Sequence, residues 1–297
     1  MHDDEVVPDR DQVARLVARQ VPSLAGEPVW RVRETGTDHS LWRVGEHHVA
    51  RMPRVVWAVD QAHQDLRWMP VLAPHLPLEV PEPVALGEPG EGFPWPWLLV
   101  RWIEGECPED SPDPANLDLV RAAGDLADFV RALHAVDTTG GPPKTGTTRG
   151  VPLERLAPDV PRVIADAASF VDTGRAWAVW DAAVLAGPWP HEPVWIHGDL
   201  QHGNLIARDR RLVAVIDFGA LGVADPAPDY MTAWAVFTGE SRRVFRERSG
   251  VDNATWARAR AWAMLPALTG AVYYRDRWPA FAATGRRRLQ EVLADAP

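Results

Sequence analysis

The stretch Val194 to Asp229 reads VWIHGDLQHGNLIARDRRLVAVIDFGALGVADPAPD, and its reading decides the fold. Val194 to Ile196 is a short apolar, β-prone run, which predicts a buried strand. It runs into His197 and Gly198, where glycine permits a sharp turn that exposes Asp199. Residues 205–208 and 212–216 predict two further short strands, with 209–211 as the turn of a hairpin of ordinary length. Asn204 then precedes one strand and Asp217 follows the other. Folding the hairpin brings both to one end, where a cation fits between them.

Three polar groups at this spacing point to a specific chemistry. In phosphoryl transfer one carboxylate orients an attacking hydroxyl and takes its proton. An amide oxygen and a second carboxylate hold magnesium on the nucleotide phosphates. Asp199, Asn204 and Asp217 supply that set in the kinase order, Asp-x-x-x-x-Asn and then Asp-Phe-Gly. Gly198 stands where protein kinases carry the Arg of His-Arg-Asp.

His-Gly-Asp-Leu-x-x-x-Asn, Ile-Asp-Phe-Gly and Asp225-Pro226-Ala227-Pro228-Asp229 together resemble the aminoglycoside phosphotransferase family. The likeness extends over nearly the whole chain, through Val49 to Pro53, Arg67 to Pro74, Pro81 to Pro83, Arg149 to Leu153 and Tyr273 to Asp276. It implies an α+β, two-lobed protein-kinase-like fold. Residues 1–103 would form a nucleotide-binding lobe with a small antiparallel sheet, ending in a hinge. Residues 104–297 would form a larger, mainly helical catalytic and substrate-binding lobe. The implied activity is transfer of the γ-phosphoryl group of ATP or GTP, with Mg2+, to a hydroxyl of an aminoglycoside-like or other antibiotic or metabolite acceptor. A catalytically silent nucleotide-binding protein is the alternative.

The resemblance also distributes roles. Asp199 is the expected catalytic base, Asn204 and Asp217 the metal ligands, and His197 and Asp229 supports of the catalytic loop. The nucleotide contacts would come from the Ser40 hydroxyl, from Arg51 and Asp65, and from hinge backbone at Arg101, Trp102 and Ile103. Gln201 and His202 replace the family's usual residues after Asp-Leu and are candidates to face the acceptor. Tyr230, Trp234 and Asp276 are further acceptor candidates, although core packing also accounts for aromatic residues in helices. Asp225 reads either as a second brace or as a substrate-facing carboxylate.

One departure concerns lysine. Lys144 is the only lysine in the chain, and it lies in a Gly/Pro-rich loop. No lysine is therefore present for the N-lobe strand that normally pairs the phosphates. Arg51 occupies the matching position, and its forked, permanently charged guanidinium binds oxyanions with a different reach. Asp65 is the nearest match to its usual Glu partner.

Composition bounds the remaining possibilities. The chain has 297 residues, 46% hydrophobic and 24% charged, as in ordinary globular enzymes. Its formal net charge of −10 disfavours general nucleic-acid binding and suits a cationic acceptor. Arginines nevertheless concentrate in the last quarter, and Arg286-Arg287-Arg288 reads as a solvated helix face. No apolar run is long enough to span a membrane, and the acidic start lacks a signal core. With Cys107 as the single cysteine, no internal disulfide forms. These features predict a cytoplasmic protein with no membrane partner.

Apolar spacing predicts helices over 8–21, 55–73 (kinked or ended near Pro70), 116–136, 161–185, 229–238, 254–274 and 279–294. Strands are predicted over 29–34, 40–44, 47–52, 83–87 and 97–103. Residues 36–40 read as a turn, either an ordinary hairpin turn or, as the resemblance implies, one that presents backbone N–H groups and the Ser40 hydroxyl to phosphates. The tryptophans crowding the N-terminal third are expected to be packing residues.

Overall fold

The computed structural model describes residues 5–32, 38–108 and 116–295. The chain forms two compact units, Met1–Asn116 with Gly203–Gly219, and Leu117–His202 with Ala220–Pro297.

The first unit begins with α1 (Arg10–Gln20), whose N-cap Asp9 accepts from Gln12 N–H at 2.7 Å. Next come β1 (Val29–Arg31), β2 (His39–Val44), β3 (His48–Pro53), α2 (Gln61–Leu72), β4 (Pro83–Gly87) and β5 (Trp97–Arg101). The strands make one antiparallel sheet in the order β1-β2-β3-β5-β4. Alternation along the strands sorts the side chains onto two faces. Trp42, Val44, Ala50, Met52, Trp97 and Leu99 pack with Val13, Leu16 and Val17 of α1. Val49, Leu98 and Val100 turn the other way and meet Ala62 of α2. Arg51 shares this second parity, and the buried stripe of α2 carries Asp65 among Ala62, Trp68, Met69 and Leu72. A carboxylate on that apolar stripe is tolerated because a guanidinium meets it.

The second unit opens with α3 (Leu119–His134), capped by Asp118, then α4 (Val160–Asp166) and α5 (Thr173–Leu185), capped by Asp172. The helical stretch expected over 161–185 is thus broken before Asp172. Strand β6 (Val194–Ile196) leads to the hairpin β7 (Leu205–Arg208) and β8 (Arg211–Val215). That hairpin clusters with the first unit, not with the helices to which the sequence assigned it. Backbone bonds explain this: Glu106 and Ala207 exchange two at 2.8 Å, and Glu79 exchanges bonds with Val213 and Val215 at 3.0 Å. After it, β9 (Gly222–Ala224) pairs with β6 in the second unit. Helices α6 (Thr232–Ala235), α7 (Gly239–Ser249), α8 (Asn253–Tyr273) and α9 (Pro279–Ala294) complete the chain. The core of this unit is built on α8, which buries Trp256, Trp262, Leu265 and Leu268.

Several elements differ from the sequence expectation. Helix α2 starts at Gln61 after a 3-10 turn at Val56–Ala58, and runs two residues beyond Pro70. The 229–238 helix is a 3-10 turn (Ala227–Met231) followed by the short α6. Helix α7 was not anticipated, because its polar sequence hides the period; a Thr238/Ser241 capping box starts it and Gly250, at φ 67°, ends it. Trp42, Trp68 and Trp97 are buried as expected, whereas Trp30 and Trp57 are exposed. The glycine and threonine of the expected 36–40 turn lie outside the described residues, as does the end of the 29–34 strand. No helix among the described residues is long and apolar enough to cross a membrane.

Candidate active site

The first unit contains a cavity of about 230 Å³. Its lining gathers Arg51, Arg101, Trp102, Ile103, Asn204 and Asp217, six of the residues singled out in the sequence, with Leu41, Val49, Val100, Ile206 and Ile216 as its apolar walls. Apolar walls with a few convergent polar groups characterise small-ligand sites. At the hinge, Arg101 N–H donates to Glu82 O and Trp102 N–H to His47 O. Ile103 N–H meets no protein acceptor among the described residues. The Arg101 side chain turns outward to Glu82, at 2.8 Å.

Arg51 stands in β3 and is buried between two carboxylates. It pairs with Asp65, and its Nη2 donates to Asp217 Oδ1 at 3.0 Å. Burial opposes its charge, but Asp65 and Asp217 outweigh burial and hold its pKa above the ordinary value. The buried His39 is pushed well below the ordinary imidazole value, first by burial and then by Arg51. Asp217 adopts φ 62°, a left-handed conformation uncommon for a non-glycine residue. Its Oδ1 also accepts from Gly219 N–H at 3.4 Å, while Oδ2 has no protein donor among the described residues. Asn204 precedes β7, and its carbonyl accepts from Ile216 N–H at 2.9 Å, so the two ends of the hairpin are tied together. An amide oxygen and a carboxylate oxygen are hard donors that fit magnesium, which takes its remaining ligands from water and phosphate. Ser40 is placed differently from expectation. It lies in β2, wholly buried, with its Oγ accepting from Trp42 Nε1 at 3.3 Å, and it does not line the cavity.

The second unit carries Asp199. The chain leaves β6, passes the buried His197 and turns at Gly198, whose φ of 77° favours glycine. A Cβ there would come within 3.1 Å of Ala220 O. Asp229 braces the turn. Its carboxylate is wholly buried and accepts from His197 N–H at 3.1 Å, Gly198 N–H at 2.6 Å and His134 Nε2 at 3.0 Å. His197 Nδ1 accepts from Asp199 N–H at 3.2 Å, so the imidazole organises backbone. Asp199 Oδ1 is ion-paired with Arg149 Nη1 at 2.6 Å, and Oδ2 accepts from Gln201 Nε2 at 3.3 Å. Gln201 Oε1 accepts from Arg288 Nη2 at 2.9 Å, so α9 is not simply a solvated arginine face. Burial, then Arg288 and Arg287, push His202 down to about 4, which leaves it neutral at pH 7. The surroundings of Asp199 are therefore locally cationic in a chain of net charge −10.

The other acceptor candidates occupy different settings. Asp225 has both oxygens taken, by Arg258 (Nε to Oδ2, 2.7 Å; Nη2 to Oδ1, 3.3 Å) and by Ala227 N–H (2.9 Å). Tyr230 is buried against His134 and Phe245. Trp234 is buried and donates to Asp295 at 3.2 Å. Asp276 is exposed after α8. None of these four is bonded to Asp199, Gln201 or His202 among the described residues. Among the described residues no group of three or more His, Cys, Asp or Glu stands in metal-binding geometry.

Sequence reasoning missed four contributors. Arg149 was quoted within a motif but given no role, and His134, Arg258 and Lys144 carried no local signal. The Lys144 ammonium donates to Ala220 O at 2.8 Å, just beyond Asp217-Phe218-Gly219, and burial lowers its pKa.

The profile of the phosphotransferase enzyme family matches residues 17–262, most of the chain. The chain belongs to this family. An aminoglycoside 3'-phosphotransferase of Escherichia coli is 28% identical over 167 residues, covering 53% of this chain and 59% of that enzyme, so the match spans little more than half of either. Among solved structures, the GDP complex of wild-type aminoglycoside 2'-phosphotransferase-IIIa aligns with a TM-score of 0.69 at 20% identity, covering 97% of this chain and 99% of that one. Macrolide 2'-phosphotransferase type I aligns with a TM-score of 0.65 at 22% identity, covering 94% and 96%. These neighbours show that this phosphotransferase-family chain has the α+β, protein-kinase-like fold expected from its sequence.

Proposed function

We propose that this family member is a small-molecule kinase that transfers the γ-phosphoryl group of ATP or GTP to an acceptor hydroxyl. The observation that carries the reading is the cavity that brings Arg51, the hinge, Asn204 and Asp217 together in one unit. In this reading the first unit holds the nucleotide, with hinge backbone at Ile103 facing the base. Asn204 and Asp217 hold magnesium, which when bound neutralises phosphate charge. Arg51 keeps Asp217 oriented from one side and steadies the phosphates. Asp199, in the second unit, aligns the acceptor hydroxyl and takes its proton as the hydroxyl oxygen attacks. Most of the rate acceleration comes from positioning and fixed charge. The proposal includes a cytoplasmic location, where such donors are abundant.

A coupled nucleotide-turnover assay with magnesium tests the reading, run with ATP and GTP separately. The acceptor panel is aminoglycosides, macrolides and small hydroxylated metabolites, with Asp199→Asn as the blank. Turnover that depends on an acceptor and disappears in the blank supports the proposal and names the acceptor class. Nucleotide binding without turnover on any acceptor counts against it. Asp217→Asn is expected to raise the magnesium concentration needed for half-maximal turnover by about tenfold or more, the scale on which metal-site substitutions act. An unchanged magnesium titration would remove Asp217 from the metal site.

A further inference from the structure

His39 is a buried titratable side chain with no role in the reaction described so far. It opens β2, where His39 is opposite Pro53 and Leu41 is opposite Arg51 in the antiparallel register. Directly opposed residues in such a pair share a face, and alternate residues along a strand return to it. His39, Leu41 and Arg51 therefore stand on one face of the sheet, and all three line the cavity of the first unit. Ser40 has the other parity and is turned to Trp42. The register that removes the expected hydroxyl from the cavity thus delivers an imidazole to it.

His39 is only 8% exposed, and its imidazole meets no hydrogen-bond partner among the described residues. A buried N–H without an acceptor carries a desolvation cost that native proteins rarely leave uncompensated. Burial, and then the Arg51 charge, hold the pKa well below its ordinary value, so at pH 7 the ring is neutral, with one N–H and one bare nitrogen. A ligand that satisfies the N–H has to bring an acceptor. Arg51 lies diagonal to His39 across the two strands, within reach of a long side chain. Its guanidinium meets Asp217, which lines the same cavity together with Asn204.

We propose that His39 donates its ring N–H to a phosphate oxygen of the bound nucleotide, as a second phosphate contact beside Arg51. This rests on the phosphoryl-transfer reading given above, in which Arg51 and the magnesium ligands Asn204 and Asp217 mark where the phosphates lie. Asp65 and Asp217 already engage two nitrogens of Arg51, so a donor from β2 supplies what the arginine alone does not. A neutral donor adds no positive charge next to Arg51, where a second buried cation would be repelled. Its hydrogen bond is also directional, so it orients the phosphate chain that Arg51 and magnesium hold by charge.

The test measures binding of ATP, ADP and adenosine, with magnesium, to the unaltered protein and to His39→Ala, His39→Gln and Ser40→Ala. His39→Ala is expected to weaken ATP and ADP about 10- to 100-fold, the worth of a hydrogen bond to a charged group, and adenosine by less than about twofold. His39→Gln keeps a side-chain N–H donor and should recover part of the loss, which a merely structural role of the ring would not produce. Ser40→Ala should leave the ratio of ATP to adenosine affinity unchanged. In the unaltered protein the His39 ring resonances should shift with ADP and stay in place with adenosine. An equal loss for ATP and adenosine, an ATP affinity within about twofold in His39→Ala, or a phosphate-selective loss in Ser40→Ala would each overturn the proposal. If His39→Ala does not fold, the ring resonances decide, and no shift with ADP overturns it. Failure of the unaltered protein to turn over any acceptor sinks the kinase reading but leaves this binding test intact. Absence of ATP binding to the unaltered protein overturns the phosphate contact directly.

Discussion

Replacing Asp199 with Asn is expected to lower turnover by roughly 10²–10⁴-fold, the usual worth of general-base assistance, with nucleotide affinity nearly unchanged. Asparagine keeps the volume of the side chain and one oxygen, so it removes the proton acceptor and the partner of Arg149 without opening a cavity. The expected split follows from the division of labour in the chain. The cavity residues belong to the first unit, while Asp199 and its partners Arg149 and Gln201 belong to the second. Steady-state kinetics on the best acceptor, with ADP binding measured in parallel, separates the two effects. Retention of more than about a tenth of the rate would remove Asp199 from the role of base.

The second large effect concerns stability. Arg258 and Asp225 are both buried, and nearly every polar atom of the pair is used. Arg258 also donates to Gly187 O at 3.2 Å and to Thr255 Oγ1 at 3.0 Å. Arg258→Met is expected to destabilise the protein by about 3–5 kcal/mol, because Asp225 is left as a buried charge without its partner. Adding Asp225→Asn should recover part of that loss, since the uncompensated charge is then gone. Urea unfolding of the single and double variants reads both steps. A single-variant change under about 1 kcal/mol, or a double variant no more stable than the single, would contradict this account of the pair.

Local pattern made much of the first unit legible. Strand alternation around Trp42, Ala50 and Leu99 on one face, and Val49, Leu98 and Val100 on the other, is a period-two signal carried by the residues themselves. The hairpin 205–216 was legible for the same reason. Its allegiance was not, because Glu79 and Glu106 hold it through backbone groups that any side chain leaves available. Ser40 shows the converse error. A hydroxyl beside a Gly/Thr turn reads as a phosphate contact, yet strand parity turns it inward to Trp42.

By itself the sequence determined the order and spacing of Asp199, Asn204 and Asp217, the glycine that turns the chain before the first of them, and the absence of any lysine for β3. Those are properties of neighbouring residues, and neighbours suffice to show them. Only the tertiary structure decided what surrounds each carboxylate. Arg51 finds Asp217 across 166 positions, Arg258 finds Asp225 across 33, and Arg149 finds the Gly198 carbonyl across 49. Such partners are chosen by packing. An arginine that is one of thirty in the chain acquires a role only when the fold removes water from around it and leaves a carboxylate within reach of its fork.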